Sequence, residues 1–273
     1  MSPSLDPQEF AWLCTFLRNE SAIIIDETKE YLVTTRLAPV LKELGLKTLS
    51  ELLTQLKRRP LTAVHQRVIE AMTTNETSFF RDLHPFDTLR NDILPELVKK
   101  RGGAGLNIWC AASSTGQEPY TIAMVLREAF PDVAARSKIL CTDINNTVLE
   151  RTKQGLYTQL EVNRGLPAPL LLKYFDRKGQ EWQVKEELRR MIDARVMNLA
   201  IPWSGVAMMD IVFIRNVLIY FDIETKRSII GRIRKNMALD GFLFLGGAES
   251  LLNIDSDFAR TMAGKSTLYK RAA

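Results

Sequence analysis

The residues best suited to chemistry sit in two short turns. In A-A-S-S-T-G-Q-E-P (residues 111–119), Ser113, Ser114, Thr115 and Gly116 follow an apolar run, and Glu118 falls in the first turn of the helix expected next. Backbone N–H groups at a helix start lack intrahelical partners and attract anions. A pyrophosphate would need the backbone brought close at several glycines, and only Gly116 is one. Glu118 would repel a pyrophosphate, whereas it can accept from an amine or balance a cationic ligand. Asp143 closes a second apolar run, S-K-I-L-C-T-D-I. A carboxylate at a strand end can take both hydroxyls of an adenosine ribose; it could equally cap a helix starting in N-N-T-V-L-E. A ribose-binding acid beside a turn hostile to pyrophosphate describes a nucleoside ligand without pyrophosphate. S-adenosylmethionine fits that description and favours a methyltransferase over a nicotinamide dehydrogenase.

A third stretch, T-T-N-E-T-S-F-F-R-D (residues 73–82), runs small polar and acidic residues into two phenylalanines and an arginine. Asn75 or Thr77 could cap a helix there. The phenylalanines could also anchor the turn in the core and leave Thr77 and Arg81 aimed at a cleft.

The elements that must position these groups follow from periodicity. Residues 1–90 read as a helical domain, with a linker to about 104. Q-E-F-A-W-L-C-T-F-L places Phe10, Leu13, Phe16 and Leu17 on one stripe, and K-E-Y-L-V-T-T-R-L-A-P-V-L-K-E-L adds Tyr31, Leu32, Leu37, Val40, Leu41 and Leu44. Gly45 is expected to end that helix in the left-handed conformation, and Thr48 with Glu51 to start the next. His65 is placed beside a polar surface, away from any chemistry. From residue 105 the pattern becomes strand, helix, strand, helix, which implies a parallel sheet with right-handed crossovers. Residues 156–195 break the rhythm and read as a small inserted subdomain over one sheet edge, with a short antiparallel piece. Strands then resume at Asp210–Ile214 and in D-G-F-L-F-L-G-G, around a helix capped by Asp222. S-T-L-Y-K-R reads as a final edge strand.

Composition excludes several classes. With 46% hydrophobic and 25% charged residues the chain reads as globular, and no apolar run reaches the roughly 18–20 residues that span a bilayer. M-S-P-S-L-D-P-Q-E-F carries no export pattern. Three scattered cysteines, Cys14, Cys110 and Cys141, fit reduced thiols in a cytoplasm. With only His65 and His84, no zinc spacing exists and no metal is expected. The net charge of +5 gathers beyond residue 90, where 26 basic residues face 20 acidic ones. It can draw an acidic partner, but the signatures of nucleic-acid readers are missing.

Four blocks in order, T-T-N-E-T-S-F-F-R-D (73–82), I-W-C-A-A-S-S-T-G-Q-E-P-Y-T-I-A-M (108–124), N-L (198–199) and D-I-V-F-I-R-N-V-L-I-Y-F-D (210–222), together with the ending D-G-F-L-F-L-G-G-A-E-S-L and the pattern K..LV..RL at Lys29–Leu37, resemble the CheR-type chemotaxis receptor glutamate O-methyltransferases. The likeness spans about residues 8–271. It implies an α/β fold: a Rossmann-like methyltransferase domain (105–273) with a small inserted β-subdomain, preceded by a small all-helical domain. It also implies S-adenosylmethionine as cofactor, S-adenosylhomocysteine as product, and glutamate methyl esters on chemoreceptors. Carried over by motif, Asn75, Thr77, Arg81, Glu118, Asp143, Asn198, Leu199, Arg215 and Asn216 would surround the cofactor, while Arg81 and Tyr220 would face the transferred methyl and the incoming glutamate. The partner would be the cytoplasmic helical bundle of membrane chemoreceptors, with recruitment to receptor arrays and no direct membrane insertion. A short link between K-Y-F-D-R-K-G and Q-V-K-E-E-L points to independence from the receptor C-terminal pentapeptide. The basic trio Lys57, Arg58 and Arg59 is either a solvated helix end or a docking face for acidic receptors. Ala112 and Ser113 stand where the family usually has glycine and cysteine, Gln117 where it has glutamate, and Ile214 where cysteine is common. The methyl of Ala112 is expected to weaken cofactor binding somewhat. The alternatives are a methyltransferase on another substrate and a cofactor-binding regulatory module.

Overall fold

The computed structural model describes residues 6–58 and 60–272, and its contacts divide the chain into two compact units. The first comprises residues up to Thr74 together with Tyr220–Thr225; the second comprises Asn75–Ile219 and Lys226 onward. The division thus falls at residue 74, earlier than the sequence boundary near 90. The helical run His84–Lys100 belongs to the second unit because it packs beneath the sheet through Phe86, Leu89, Ile93, Leu94 and Leu97.

Four helices build the first unit: Pro7–Ser21, Glu30–Leu44, Leu49–Leu56 and Ala63–Met72. Asp6 caps the first by accepting from Gln8 N–H (2.8 Å), and Thr48 caps the third by accepting from Glu51 N–H (3.2 Å). Gly45 ends the second at φ +66. The buried stripe of the second helix is Val33, Leu37 and Val40, whereas Tyr31 is 69% exposed. The 3.6-residue repeat allowed either phase, and Val33 rather than Tyr31 lies in line with Leu37 and Val40. His65 is buried, not beside a polar surface: Nδ1 accepts from Thr62 N–H (2.9 Å) and Nε2 meets the Leu56 carbonyl (2.9 Å), closing the fourth helix start. Arg59 lies outside the described residues.

The second unit is a seven-stranded sheet. In chain order its strands are β1 (Asn107–Ala111) and β2 (Lys138–Asp143), then, beyond three subdomain strands, β6 (Ile192–Val196), β7 (Met209–Ile214), β8 (Met237–Leu245), β9 (Phe258–Ala263) and β10 (Ser266–Arg271). The subdomain strands are β3 (Leu156–Thr158), β4 (Phe175–Lys178) and β5 (Glu181–Val184), which form a separate antiparallel sheet in the order β3-β5-β4. The main order is β6-β2-β1-β7-β8-β10-β9, parallel through β8 and antiparallel at β10 and β9. Every residue of β7 is buried, as are all but the first of β1 and β2, as expected for strands covered on both faces. Two sequence limits shift. Residues 192–195 belong to the main sheet as β6, so the insertion ends sooner. S-T-L-Y-K-R is an inner strand, because β9, largely exposed beyond Phe258, pairs outside it and forms the edge.

Candidate active site

The topology sets the location. From β1 the chain winds outward to β2 and β6, then crosses back to β7 on the other side of β1, so β1 and β7 flank the switch point where ligands bind beyond the strand carboxyl ends. The registers bring those ends level: Ala111 pairs with Thr142 and Ile214, Asp143 with Val196, and Ile214 with Leu245. Ala112–Gly116, Asp143, Met197–Leu199, Arg215–Asn216 and Gly246 therefore open onto one rim.

The turn after β1 is held from several directions. Ser113 N–H donates to Thr142 O (2.9 Å), Ser114 N–H to Asp143 Oδ2 (2.9 Å) and Ser114 Oγ to Asn75 O (2.7 Å). Thr152 Oγ1 donates to Ser114 O (3.1 Å), and Tyr157 O–H to Thr115 O (2.7 Å). Gly116 adopts φ +92, and a Cβ there would lie 2.8 Å from Thr152 Cγ2 and 2.9 Å from the Tyr157 hydroxyl. Both the conformation and the space require glycine. Ala112 and Ser114 also take left-handed angles, φ +59 and +50. An L-residue loses roughly 1–2 kcal/mol there, so the methyl of Ala112 strains the turn as well as standing near its rim. Ala112→Gly is expected to raise Tm by about 2–4 °C and tighten cofactor binding; unchanged melting by calorimetry would refute the strain argument.

Asp143 is 7% exposed, and its two oxygens already accept from backbone N–H groups, Oδ2 from Ser114 and Oδ1 from Asn145 (3.0 Å). The helix Asn146–Gln154 is capped by Asn145 accepting from Val148 N–H (3.3 Å). The capping role open for Asp143 thus falls to Asn145. Beside it, Met197 N–H donates to Asp143 O (2.8 Å), which places Asn198 and Leu199 next to the acid. Asn198 Oδ1 accepts from Ala200 N–H (2.9 Å), and Leu199 is buried.

Arg215 is committed to ion pairs within the protein. Its side chain is 2% exposed, with Nη1 on Glu118 Oε2 (2.6 Å) and Nη2 on Asp82 Oδ2 (2.7 Å) and Arg81 O (3.1 Å). The guanidinium also stands over Phe86, 5.6 Å from the ring centroid. It acts as the post to which Glu118 and the 73–82 block are tied. Burial pushes the Glu118 carboxyl above the usual carboxylate range, against the opposing pull of Arg215.

That block is an irregular segment without a helix at Thr77. Phe79 is fully buried, edge-on to Tyr157 and Phe175, and Phe80 N–H donates to Thr121 Oγ1 (3.1 Å). Phe80, Asp82 and Leu83 all have positive φ, strain of the kind that collects at functional turns. Arg81 donates to the Glu76 carbonyl (3.0 Å). Asn75 and Thr77 line a cleft of about 640 Å³ with Thr115, Gln117, Asn145 and Arg151. Tyr220 is 38% exposed and closes the short turn Leu218–Tyr220, in the segment that groups with the helical unit.

Sequence reasoning missed Glu249. Its carboxylate accepts from four backbone N–H groups: Asn216 (2.7 Å), Val217 (2.9 Å), Leu218 (2.7 Å) and Gly246 (2.7 Å). It thereby fixes Asn216 at φ +58 and ties the loops after β7 and β8 together. The only sequence signal was an acid three residues after the strand-ending Gly246. Asp82 was missed as well, since its partner is 133 residues away.

The donor set suits a nucleoside sulfonium. Two acids, Asp143 and Glu118, face a rim without a glycine-rich phosphate cradle, and Ser113 Oγ is buried there with no hydrogen-bond partner among the described residues. Comparison with known proteins agrees. Residues 75–266 match the CheR methyltransferase SAM binding domain, and residues 8–73 match the CheR methyltransferase all-alpha domain. The chain is 36% identical over 272 residues to the chemotaxis protein methyltransferase Cher2 of Pseudomonas putida, covering 98% of both chains. It is 37% identical over 267 residues to chemotaxis protein methyltransferase 1 of Pseudomonas aeruginosa, covering 96% of this chain and 97% of that one. The chain therefore belongs to the CheR methyltransferase family, and it is an S-adenosylmethionine-dependent methyltransferase.

Proposed function

We propose that the protein esterifies glutamate side chains in the cytoplasmic helical bundle of membrane chemoreceptors, at which it is recruited from the cytoplasm. The observation that carries this is the joining of the 73–82 block to the strand-end site through the Asp82–Arg215–Glu118 ion pairs. S-adenosylmethionine, when bound, supplies a methyl group made electrophilic by its sulfonium charge. A glutamate carboxylate, with an ordinary pKa near 4.3, is already ionised at neutral pH and needs no general base. What remains for the protein is placement and partial exclusion of water.

In this reading Asp143 holds the ribose hydroxyls, its inner lone pairs fixed by Ser114 and Asn145. Glu118 meets the cofactor amine, and Asn75, Thr77, Asn198, Leu199 and Asn216 complete the surroundings. Arg215 contributes by holding Glu118. Arg81 orients the acceptor carboxylate. The test uses tritiated-methyl S-adenosylmethionine and receptor-bearing membranes, with label recovered as methanol after mild alkali. Alkali-labile label in the receptor band is expected. Label stable to alkali, or none from protein that binds cofactor, would refute the ester assignment.

Glu118 carries a pH prediction. Its ionised form pairs with Arg215 and with an amine, and its carboxyl titrates above the ordinary 4.5. Cofactor affinity should therefore fall with pH on a limb above 4.5, and Glu118→Gln should remove that limb. The stability sign is opposite. A raised carboxyl contributes stability that is full below 4.5 and is lost as pH rises through its folded value. Acid should thus release cofactor while this group leaves the fold unharmed, as titration calorimetry beside melting curves would reveal.

Independence from the receptor tail pentapeptide is supported by the β4–β5 hairpin, which turns through Gly179 and Gln180 alone, with Gly179 at φ +59. Receptor tail peptide should neither bind in calorimetry nor compete with methylation.

A further inference from the structure

We propose that Arg232 is a positioning residue for the cofactor, holding the loop after β6 whose residues Asn198 and Leu199 stand beside Asp143. The proposal rests on the reading that this loop meets the cofactor.

Arg232 lies on the helix Ile223–Lys235, which buries Ile229, Ile230 and Ile233 and turns this arginine to the loop. Its Nη2 donates to Leu199 O (2.8 Å) and Ala200 O (3.4 Å), its Nη1 to Ile201 O, and its Nε to Ser228 O (3.1 Å). Three successive loop carbonyls are thus gathered by one planar fork. The same guanidinium lies 4.0 Å from the Trp203 ring centroid, a stacking distance. Trp203 is edge-on to Trp109 (5.8 Å), and Trp109 Nε1 donates to Thr142 Oγ1 (2.9 Å), the residue before Asp143.

The loop needs such a clamp. Residues 197–208 form no regular ladder, and Ile201, Pro202 and Met208 are exposed, so burial alone does not order it. Asn198 Oδ1 caps only its first turn. No carboxylate pairs with Arg232 among the described residues, and its four hydrogen bonds all go to carbonyls. This arginine therefore fixes backbone geometry. Lysine cannot reproduce it, because an ammonium lacks both the fork and the planar stack.

The test compares Arg232→Ala, Arg232→Lys and Asn198→Ala with the full-length protein, reading Kd for S-adenosylhomocysteine, kcat, receptor KM, Tm and tryptophan fluorescence. Arg232→Ala should weaken cofactor binding about tenfold or more, the worth of one charge-assisted hydrogen bond. It should leave kcat at saturating cofactor and receptor KM within about twofold, since the loop is argued to bind rather than react. Arg232→Lys should fall between, and both should change tryptophan emission, with the change absent when Trp203 is replaced by phenylalanine. Unchanged Kd in Arg232→Ala with weakened binding in Asn198→Ala would overturn the clamp. Unchanged Kd in Asn198→Ala as well would overturn the underlying placement of the loop. Losses in kcat, receptor KM and Tm together would show a merely structural role and also overturn it. Should the alanine variant fail to fold, an unchanged Kd in Arg232→Lys overturns the proposal equally.

Discussion

Replacing Arg215 with methionine is expected to cost about 3–5 kcal/mol of stability and to abolish methyl transfer. The guanidinium is 2% exposed and holds Glu118 at 2.6 Å and Asp82 at 2.7 Å. Asp82 is open enough to be rehydrated, but Glu118 is not, and removing its partner leaves a largely buried carboxylate unpaired. Glu118 would then take up a proton, losing the charge that an amine requires. The block 73–82 would lose its tie to the sheet, since Nη2 also binds the Arg81 carbonyl. Arg215→Lys should recover little, because a compact ammonium lacks the planar fork whose two nitrogens reach Glu118 on one side and Asp82 on the other. The double variant Arg215→Met, Glu118→Gln should regain stability without regaining activity, because no charge is left stranded. Urea titrations of the three variants check this. A single variant within about 1 kcal/mol of the parent would show that the pair contributes no more than a surface one.

Asp143→Ala is expected to weaken cofactor binding by at least about a hundredfold, the loss of two hydrogen bonds to a charged group. Position decides the magnitude. The carboxylate ends β2 at the rim, level with Val196, and its orientation is set by Ser114 N–H and Asn145 N–H. Alanine also strips those donors of their acceptor, so Tm should fall too. Calorimetry with S-adenosylhomocysteine must therefore be done well below the melting temperature of the variant. A change in Kd under tenfold in folded protein would remove Asp143 from the ribose site.

Much of this architecture was legible in the chain because its determinants are local. The strand–helix alternation from residue 105 announced a parallel sheet, and Asp143 stands at a strand end by simple counting. Thr48, Gly45 and Asp222 were readable as caps because capping chemistry acts within three or four residues: Asp222 accepts from Thr225 N–H at 2.8 Å. The order of strands was less legible. S-T-L-Y-K-R has the pattern of any short strand, and whether β9 pairs outside it depends on a turn that periodicity does not register. The phase of the second helix was equally open until Val33 was buried in place of Tyr31.

The site divides the same way. Strand-end counting located the Ser113–Gly116 turn, Glu118 and Asp143, while Asn198 and the Arg215–Asn216 pair were named through the family resemblance. What each of them is committed to depends on partners distant in the chain. Glu118 and Arg215 are 97 residues apart, and Arg215 and Asp82 are 133 apart. Glu249 gathers N–H groups from a loop more than thirty positions earlier. No repeat or spacing relates such partners. They meet because parallel crossovers bring the strand ends to one rim, where a buried charge must find its opposite and a strained loop its acceptor.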